Sequence, residues 1–529
     1  MLSAFEQTEF SWLKAMLLTD ELLLYYKRCR RRAFLDLYGD PTQQDQEQDF
    51  LLKLRQDSRT HQQVVLATIS HQSPDYPHRD WEAGAKATWE LMQQGTECIS
   101  HAVLLMQTAQ GVTLLSRPDL LVKQPGPSNL GDWMYVPTTI KLGKRPKSEY
   151  QIVAAFGAQL LAAVQGVLPD TASLILRRQD AYTVNLEKWM PLMQDMLAEC
   201  IDTLLFRQEP EVFISRQRCS LCKWYSSCYA IAQSQQHISL LPGVTPTRYL
   251  DLQALGVTTV ESLAQATLST LEPALGSELA SDLVEQAQST VQNRAILRQR
   301  HYPPLQEGLQ PTGTSPLWGT RNTNGKTPKP FTQTNSLPTA SVELYFDIEA
   351  EPELSLDYLL GVLVVDKRTN TEMFHPLLAE HPSDEASIWQ QFLDLVSLYP
   401  DAPIFHFSDY EVETVKRLAK LYKTPAHRFK PLLSRFVDVH QQVMNTVTLP
   451  VESYSLKHLA RWLGFEWRDS QITGSQCVCL YDQWLKTSDR TLLEVILRYN
   501  EDDCRATQKL KEWLVRFVQD ASPSTQSFA

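Results

Sequence analysis

Three short groups of acidic and aromatic residues toward the C-terminal end have the types and spacing to hold divalent metal ions. Asp347-Ile348-Glu349 belongs to an alternating apolar stretch, Val342 to Ile348, that predicts a strand. Side chains two apart on a strand share a face, so both carboxylates project the same way. Two such charges beside an apolar core are costly unless a cation neutralises them. A second group, His406-Phe407-Ser408-Asp409-Tyr410-Glu411, follows the apolar Pro403-Ile404-Phe405 and leads into a predicted helix with apolar Val412, Val415 and Leu418. Acids in a first helical turn also favourably oppose the helix dipole, so this group has a structural reading beside the ligand one. In the third group, Tyr499-Asn500-Glu501-Asp502-Asp503, Tyr499 and Asp503 are four apart and share a helix face. There a phenol can orient an attacking water while the carboxylate holds a metal.

Together these residues resemble the DEDD exonuclease superfamily, in the subtype with Tyr in its third motif. Asp347 and Glu349 match the first motif, Tyr410-Glu411 the second, and Tyr499 and Asp503 the third. Tyr454-Ser455-Leu456-Lys457-His458-Leu459 and Leu463-Gly464 are similar to the segment between the second and third motifs, with His458 itself read as a surface or core residue. Two departures stand out. The second-motif acid is Glu411 where most of the superfamily has Asp, and the Asn before it is missing, with Phe407 nearest its place. Asp409 is therefore an alternative ligand. The resemblance implies 3′→5′ hydrolysis of phosphodiesters with two Mg²⁺ or Mn²⁺ ions roughly 4 Å apart. Asp347 would bridge both ions, Glu349 and Asp503 would each hold one, and Glu411 would act mainly through water.

Thiols form a second chemical pattern. Of nine cysteines, Cys219, Cys222 and Cys228 crowd together, with Cys29 far upstream in Tyr25-Tyr26-Lys27-Arg28-Cys29-Arg30-Arg31. Four thiolates suit zinc or a [4Fe–4S] cluster. One remote Cys plus a triplet resembles the RecB-like iron–sulfur nucleases of the PD-(D/E)XK superfamily, and that resemblance implies [4Fe–4S]. The same family's active site is matched by Pro118-Asp119 and Lys141, with His61 at the place of an early His. The acid two residues before the lysine is replaced by Thr139, and Ile152 and Phe156 stand where a later Gln-x-x-x-Tyr element would be. A hydroxyl does not replace a carboxylate as a metal ligand. This domain is therefore expected to be a degenerate nuclease used for binding, with Arg28, Arg30, Arg31, Lys144 and Arg145 as candidate nucleic-acid contacts. Residues 238–266 resemble helix–hairpin–helix elements, and Gly243 in Leu241-Pro242-Gly243-Val244 would present backbone N–H groups to phosphate. A plain helical connector is the alternative.

The elements that must position these groups divide the 529 residues into several units. We expect an α/β multidomain chain. Residues 1–236 form a PD-(D/E)XK, restriction-endonuclease-like α/β domain and 237–302 a small helical, helix–hairpin–helix-like connector. Residues 303–340, rich in Pro, Gly, Thr, Asn and Gln, read as a flexible linker, and 341–520 as a ribonuclease H-like α/β exonuclease domain. In the first domain, helical spacing spans Asp20 to Tyr38, Glu149 to about Gln165, and 189–206. Two strands are expected in 102–123 around Ala109-Gln110-Gly111, and another from Trp133 to Leu142. In the last domain, helices are expected at roughly 385–398, 411–422, 455–463 and 490–516. A hydrophobic content of 43%, no basic segment at the N-terminus and no long apolar run predict a cytoplasmic chain with no membrane partner. The net charge of −11 leaves the partner open. The expected partner is nucleic acid, single-stranded DNA in preference to RNA, with a helicase or repair protein as a possible associate. The rivals are an RNA-processing 3′→5′ exonuclease and a non-catalytic repair scaffold.

Overall fold

The computed structural model describes residues 16–177, 181–298 and 337–521. Most of the expected linker, 303–336, lies outside the described residues. The chain divides into two compact units, one of Met1–Val212 with Arg216–Ala230, the other of Phe213–Ser215 with Ile231–Ala529. Among the described residues no helix is long and apolar enough to cross a membrane.

The first unit is built on a five-stranded sheet ordered Cys98–Ser100, Leu120–Ser128, Gly131–Ile140, Thr171–Ile175, Ala181–Asn185. Gly131–Ile140 and Thr171–Ile175 run parallel, and the other pairs are antiparallel. A parallel pair needs a crossover. The helix Ser148–Gln165 supplies it, buried along most of its length and closed by Gly166 at φ +76°. A three-stranded sheet, Leu17–Thr19, Thr113–Ser116 and Leu104–Gln107, adjoins the same core. Its hairpin turns through Gly111 at φ +77°, as the Ala109-Gln110-Gly111 signal predicts. The stretch Asp20 to Tyr38 departs from expectation. It forms two helices, Asp20–Arg28 and Arg30–Tyr38, because Cys29 is extended (φ −160°, ψ 110°) and its thiol caps the second by accepting from the Arg32 N–H at 3.4 Å.

The second unit begins with four short helices, Pro246–Ala254, Val260–Gln265, Leu268–Leu275 and Ser277–Gln292, around a core that includes Leu241, Tyr249, Leu252, Leu263 and Leu271. Threonines at 245 and 259 cap the first two. These helices are joined to the C-terminal domain of the same unit. Ile296–Leu297 pairs antiparallel with Val447–Thr448, and the buried Gln286 donates to the Leu449 carbonyl at 2.7 Å while accepting from the Tyr454 hydroxyl at 3.0 Å.

The C-terminal sheet has the order Thr371–Leu378, Leu356–Asp366, Val342–Glu351, Ile404–His406, Phe436–Asp438, with two antiparallel pairs followed by two parallel ones. Its central strands are covered on both faces, so alternate residues enter two cores. Leu344, Phe346, Tyr358 and Leu360 join one, while Tyr345, Leu363, Val365 and Phe405 join the other. The expected helices appear as Glu385–Ser397, Tyr410–Leu421, Leu456–Trp462 and Arg490–Ala521. The last is anchored to the first strand of the domain by a buried ion pair, Lys511 to Glu343 at 2.7 Å, which fixes its rotation. That rotation turns Tyr499, Asn500 and Asp503 onto the sheet.

Candidate active site

Asp347 and Glu349 sit near the end of Val342–Glu351, opposite Gly361 and Leu359 of the neighbouring strand, just before a register shift at Glu349/Ala350. The shift skips Tyr358 and interrupts regular pairing beside the carboxylates before Ala350 and Glu351 pair again. Asp503 reaches the same spot from the long helix. Ligand atoms of Asp347, Glu349 and Asp503 lie within 4.8 Å of one another, and among the described residues this is the only such group of three potential metal ligands.

Burial and mutual repulsion load this triad. Burial, then the charges of Asp503, Glu349 and Glu411, hold Asp347 well above the usual carboxylate range. Burial and Asp503 do the same to Glu349, with Lys457 pulling the other way. Asp503 is raised by burial to about 7, against the pull of Trp467, Lys457 and Tyr499. A hard divalent cation is the partner such a set of oxygens fits, since it removes the repulsion and supplies the missing charge.

Glu411 and Asp409, the two candidates for the second-motif acid, differ in their surroundings, and Glu411 is the one turned toward the triad. It is 4% exposed, faces His406 Nδ1 at 3.5 Å, and its charge acts on Asp347. Burial raises its carboxyl, with His406 opposing. Asp409 is exposed and accepts only a local contact from the Ser408 hydroxyl at 3.3 Å. Tyr499 is buried within reach of Asp503, and burial pushes its phenol up, so it enters the site as a neutral donor. His458 is exposed beside Ser455.

Three residues to which the sequence reading gave no role complete the site. The Trp467 indole N–H donates to Asp503 Oδ1 at 2.8 Å, and the Asn500 amide donates to Asp347 Oδ2 at 2.7 Å. Asn500 fits because residue 361 is glycine, where a Cβ would run into the Asn500 oxygen. Lys457 lies over the Tyr499 ring, 4.8 Å from its centre, with its ammonium made less basic by burial. Asn500 stands inside the third motif and was legible by its place. Trp467 carries no periodic or spacing signal.

The remaining predicted residues fall in the first unit, apart from Gly243. Arg28, Arg30 and Arg31 are ion-paired, with Glu149, Glu199 and Glu209 respectively, and Arg31 is also buried. Lys144 and Arg145 are exposed on the loop after Gly131–Ile140. Asp119 accepts hydrogen bonds from the Gln62 amide and the Ile140 N–H, with Lys141 close enough to act on it. Gly243 adopts φ +86° in its turn. The fold brings Cys29 to the triplet: Arg218 donates to the Arg28 carbonyl at 3.0 Å, and the thiols of Cys29, Cys222 and Cys228 act on one another electrostatically.

A family model of the RNase_H superfamily matches residues 344–515, less than half of the chain. No curated protein matches. The C-terminal domain is thus RNase H-like, and the activity this supports is of the nuclease type, metal-dependent and directed at nucleic acid.

Proposed function

We propose that the C-terminal domain is a DEDDy-type 3′→5′ exonuclease that shortens single-stranded DNA. The observation that carries this reading is the convergence of Asp347, Glu349 and Asp503 within 4.8 Å, with Tyr499 at Asp503 and Glu411 beside Asp347. Two Mg²⁺ or Mn²⁺ ions would supply Lewis-acid stabilisation of the attacking and leaving oxygens. Asp347, Glu349 and Asp503 would hold them, with Glu411 contributing through water. The chain's own residues do the rest. Tyr499 offers its hydroxyl to orient a water molecule, Trp467 and Asn500 fix the direction of the carboxylates, and the apolar surroundings limit water to the reacting positions.

The first unit, in this reading, is a RecB-like PD-(D/E)XK domain that has lost catalysis and grips the strand. Cys29, Cys219, Cys222 and Cys228 hold a [4Fe–4S] cluster that ties its two chain ends. In support, the thiols of Cys29, Cys222 and Cys228 lie close enough to act on one another, and four thiolates are the ligand set of such a cluster. In the second unit, Gly243 and its turn offer backbone donors to phosphate in their own right.

The test is degradation of 5′-labelled single-stranded DNA and RNA with Mn²⁺ or Mg²⁺, wild type against Asp347→Ala. A ladder shortening from the 3′ end on DNA, and reduced about 10³-fold or more in the variant, is expected, because several kcal/mol of metal stabilisation is lost. Preference for RNA would favour the RNA-processing rival. Cleavage unchanged in the variant would sink the assignment of the site.

A further inference from the structure

One end of the sheet in the first unit gathers cationic side chains around a single carboxylate. Register puts Ser100 opposite Leu120, Leu120 opposite Thr138, and Ile140 beside Ile175. His101, Asp119 and Lys141, just outside those pairs, and Arg177, two residues beyond Ile175, therefore lie at one end of the sheet. Backbone bonds pin them there. The His101 N–H donates to the Asp119 carbonyl at 3.1 Å, the Lys141 N–H to the Ile175 carbonyl at 2.9 Å, and the Arg177 N–H to the Gly143 carbonyl at 3.3 Å. His61 adds a fifth group from the helix Asp49–Ala67, next to the Gln62 that bonds Asp119, and its Nε2 is buried without a hydrogen-bond partner. Arg177 acts on His61, and Lys141 and His101 act on Asp119. Exposed Lys144 and Arg145 extend the positive charge along the adjoining loop.

The chemistry of this end is wrong for a divalent cation. Mg²⁺ demands near-octahedral oxygen ligation. Here both Asp119 oxygens already accept from N–H donors, the Gln62 amide on one and the Ile140 backbone on the other. The place of a second acid is taken by buried Thr139. The cations around Asp119 would repel a metal ion. They would welcome an oxyanion, for which Lys and Arg are donors of the right charge and an imidazole N–H is a neutral donor.

We infer that this end of the sheet is a metal-independent binding site for a phosphate group of a nucleic-acid strand, with Lys141 and Arg177 as its main contacts and His101 as a third. The inference deepens, and rests on, the reading of the first unit as a strand-binding domain.

The experiment measures fluorescence anisotropy of labelled single-stranded DNA on full-length Asp347→Ala protein in EDTA, where hydrolysis is silent. Adding Lys141→Ala or Arg177→Ala is expected to weaken binding about tenfold each, as for a lost charge-assisted contact. Lys141→Arg, which keeps the charge, should bind near the parent. Asp119→Asn, which removes a like charge from the strand's path, should bind more tightly. A metal site demands the reverse, with binding that appears only with Mn²⁺ and vanishes in Asp119→Asn, and that result would overturn the inference. Binding in EDTA that ignores both Lys141 and Arg177 overturns this site but leaves strand binding by the unit intact, whereas no binding at all in EDTA removes both. None of these outcomes bears on the exonuclease ladder. Oligonucleotides with 5′-phosphate and 5′-hydroxyl ends identify the source: a preference for the first marks a terminal monoester, equal binding an internal phosphodiester, and either supports the site.

Discussion

Asp503, in the proposed role of metal ligand, would serve poorly if it were free to turn, and the Trp467 indole is one of the two side chains that hold it. The hydrogen bond at 2.8 Å joins residues 36 apart in sequence, through a side chain that is 4% exposed. Trp467→Phe keeps the ring's bulk and removes only the donor. Losing an outer partner of a metal ligand costs about 10–100-fold in metal affinity or activity, so the Mn²⁺ concentration for half-maximal cleavage should rise by that factor while the far-ultraviolet circular dichroism is unchanged. Cleavage with an unaltered Mn²⁺ requirement would show that the bond is incidental. The same contrast explains what could be read in advance. Asp347 with Glu349, and Tyr499 with Asp503, are legible because strand and helix periods place them together locally. Trp467 and the Gly361 gap that admits Asn500 depend on packing across the domain, which no local spacing encodes. Glu411 and Asp409 could not be separated by type. Burial separates them.

At the scale of elements, four helices and the first two strands of the C-terminal domain were legible because apolar periods there match the buried faces, whereas the helices Ala426–Leu433, Val439–Thr446 and Gly474–Thr487 were not read from the sequence. The edge strands Thr371–Leu378 and Phe436–Asp438 were not, since the first is exposed or half-buried along its eight residues and the second has only three. The break at Cys29 was hidden too, because the helices on either side continue a similar apolar spacing. The break has a use: it turns the Cys29 thiol out of the helix and toward the triplet near the other end of the unit. If a cluster sits there, it ties elements nearly two hundred residues apart in sequence. Cys228→Ser should then abolish the brown colour and visible absorbance of anaerobically purified protein. A tie worth about 3 kcal/mol would shift the unfolding of a unit this size by about 6–12 °C, leaving the exonuclease ladder on a short substrate in place. A colourless wild type whose unfolding is indifferent to the substitution would end the iron–sulfur proposal.

For the molecule as a whole, the net charge of −11 hides its partner because many of the cations are spent internally, the Arg28–Arg31 run among them, while carboxylates gather where a metal would sit. That concentration links metal, proton and fold. Asp347, Glu349 and Asp503 all have carboxyls raised above their ordinary values, Asp503 to about 7. A raised carboxyl binds its proton more tightly in the folded chain than in the unfolded one, so the stability it confers is present at low pH and is lost as pH climbs from about 4 through about 7. Metal-free protein should therefore lose thermal stability in its C-terminal transition between about pH 5 and about pH 8, and Asp503→Asn should lose less over that interval. At the upper pH the metal-free variant should be the more stable of the two. Mn²⁺ should reverse the order, raising the wild-type midpoint strongly at high pH, weakly at low pH where protons compete, and hardly at all in the variant. Differential scanning calorimetry with chelator and with Mn²⁺ reads all four conditions. If wild type and Asp503→Asn follow the same pH course without metal, the triad is not electrostatically loaded, and the case for a metal centre there would have to rest on cleavage alone.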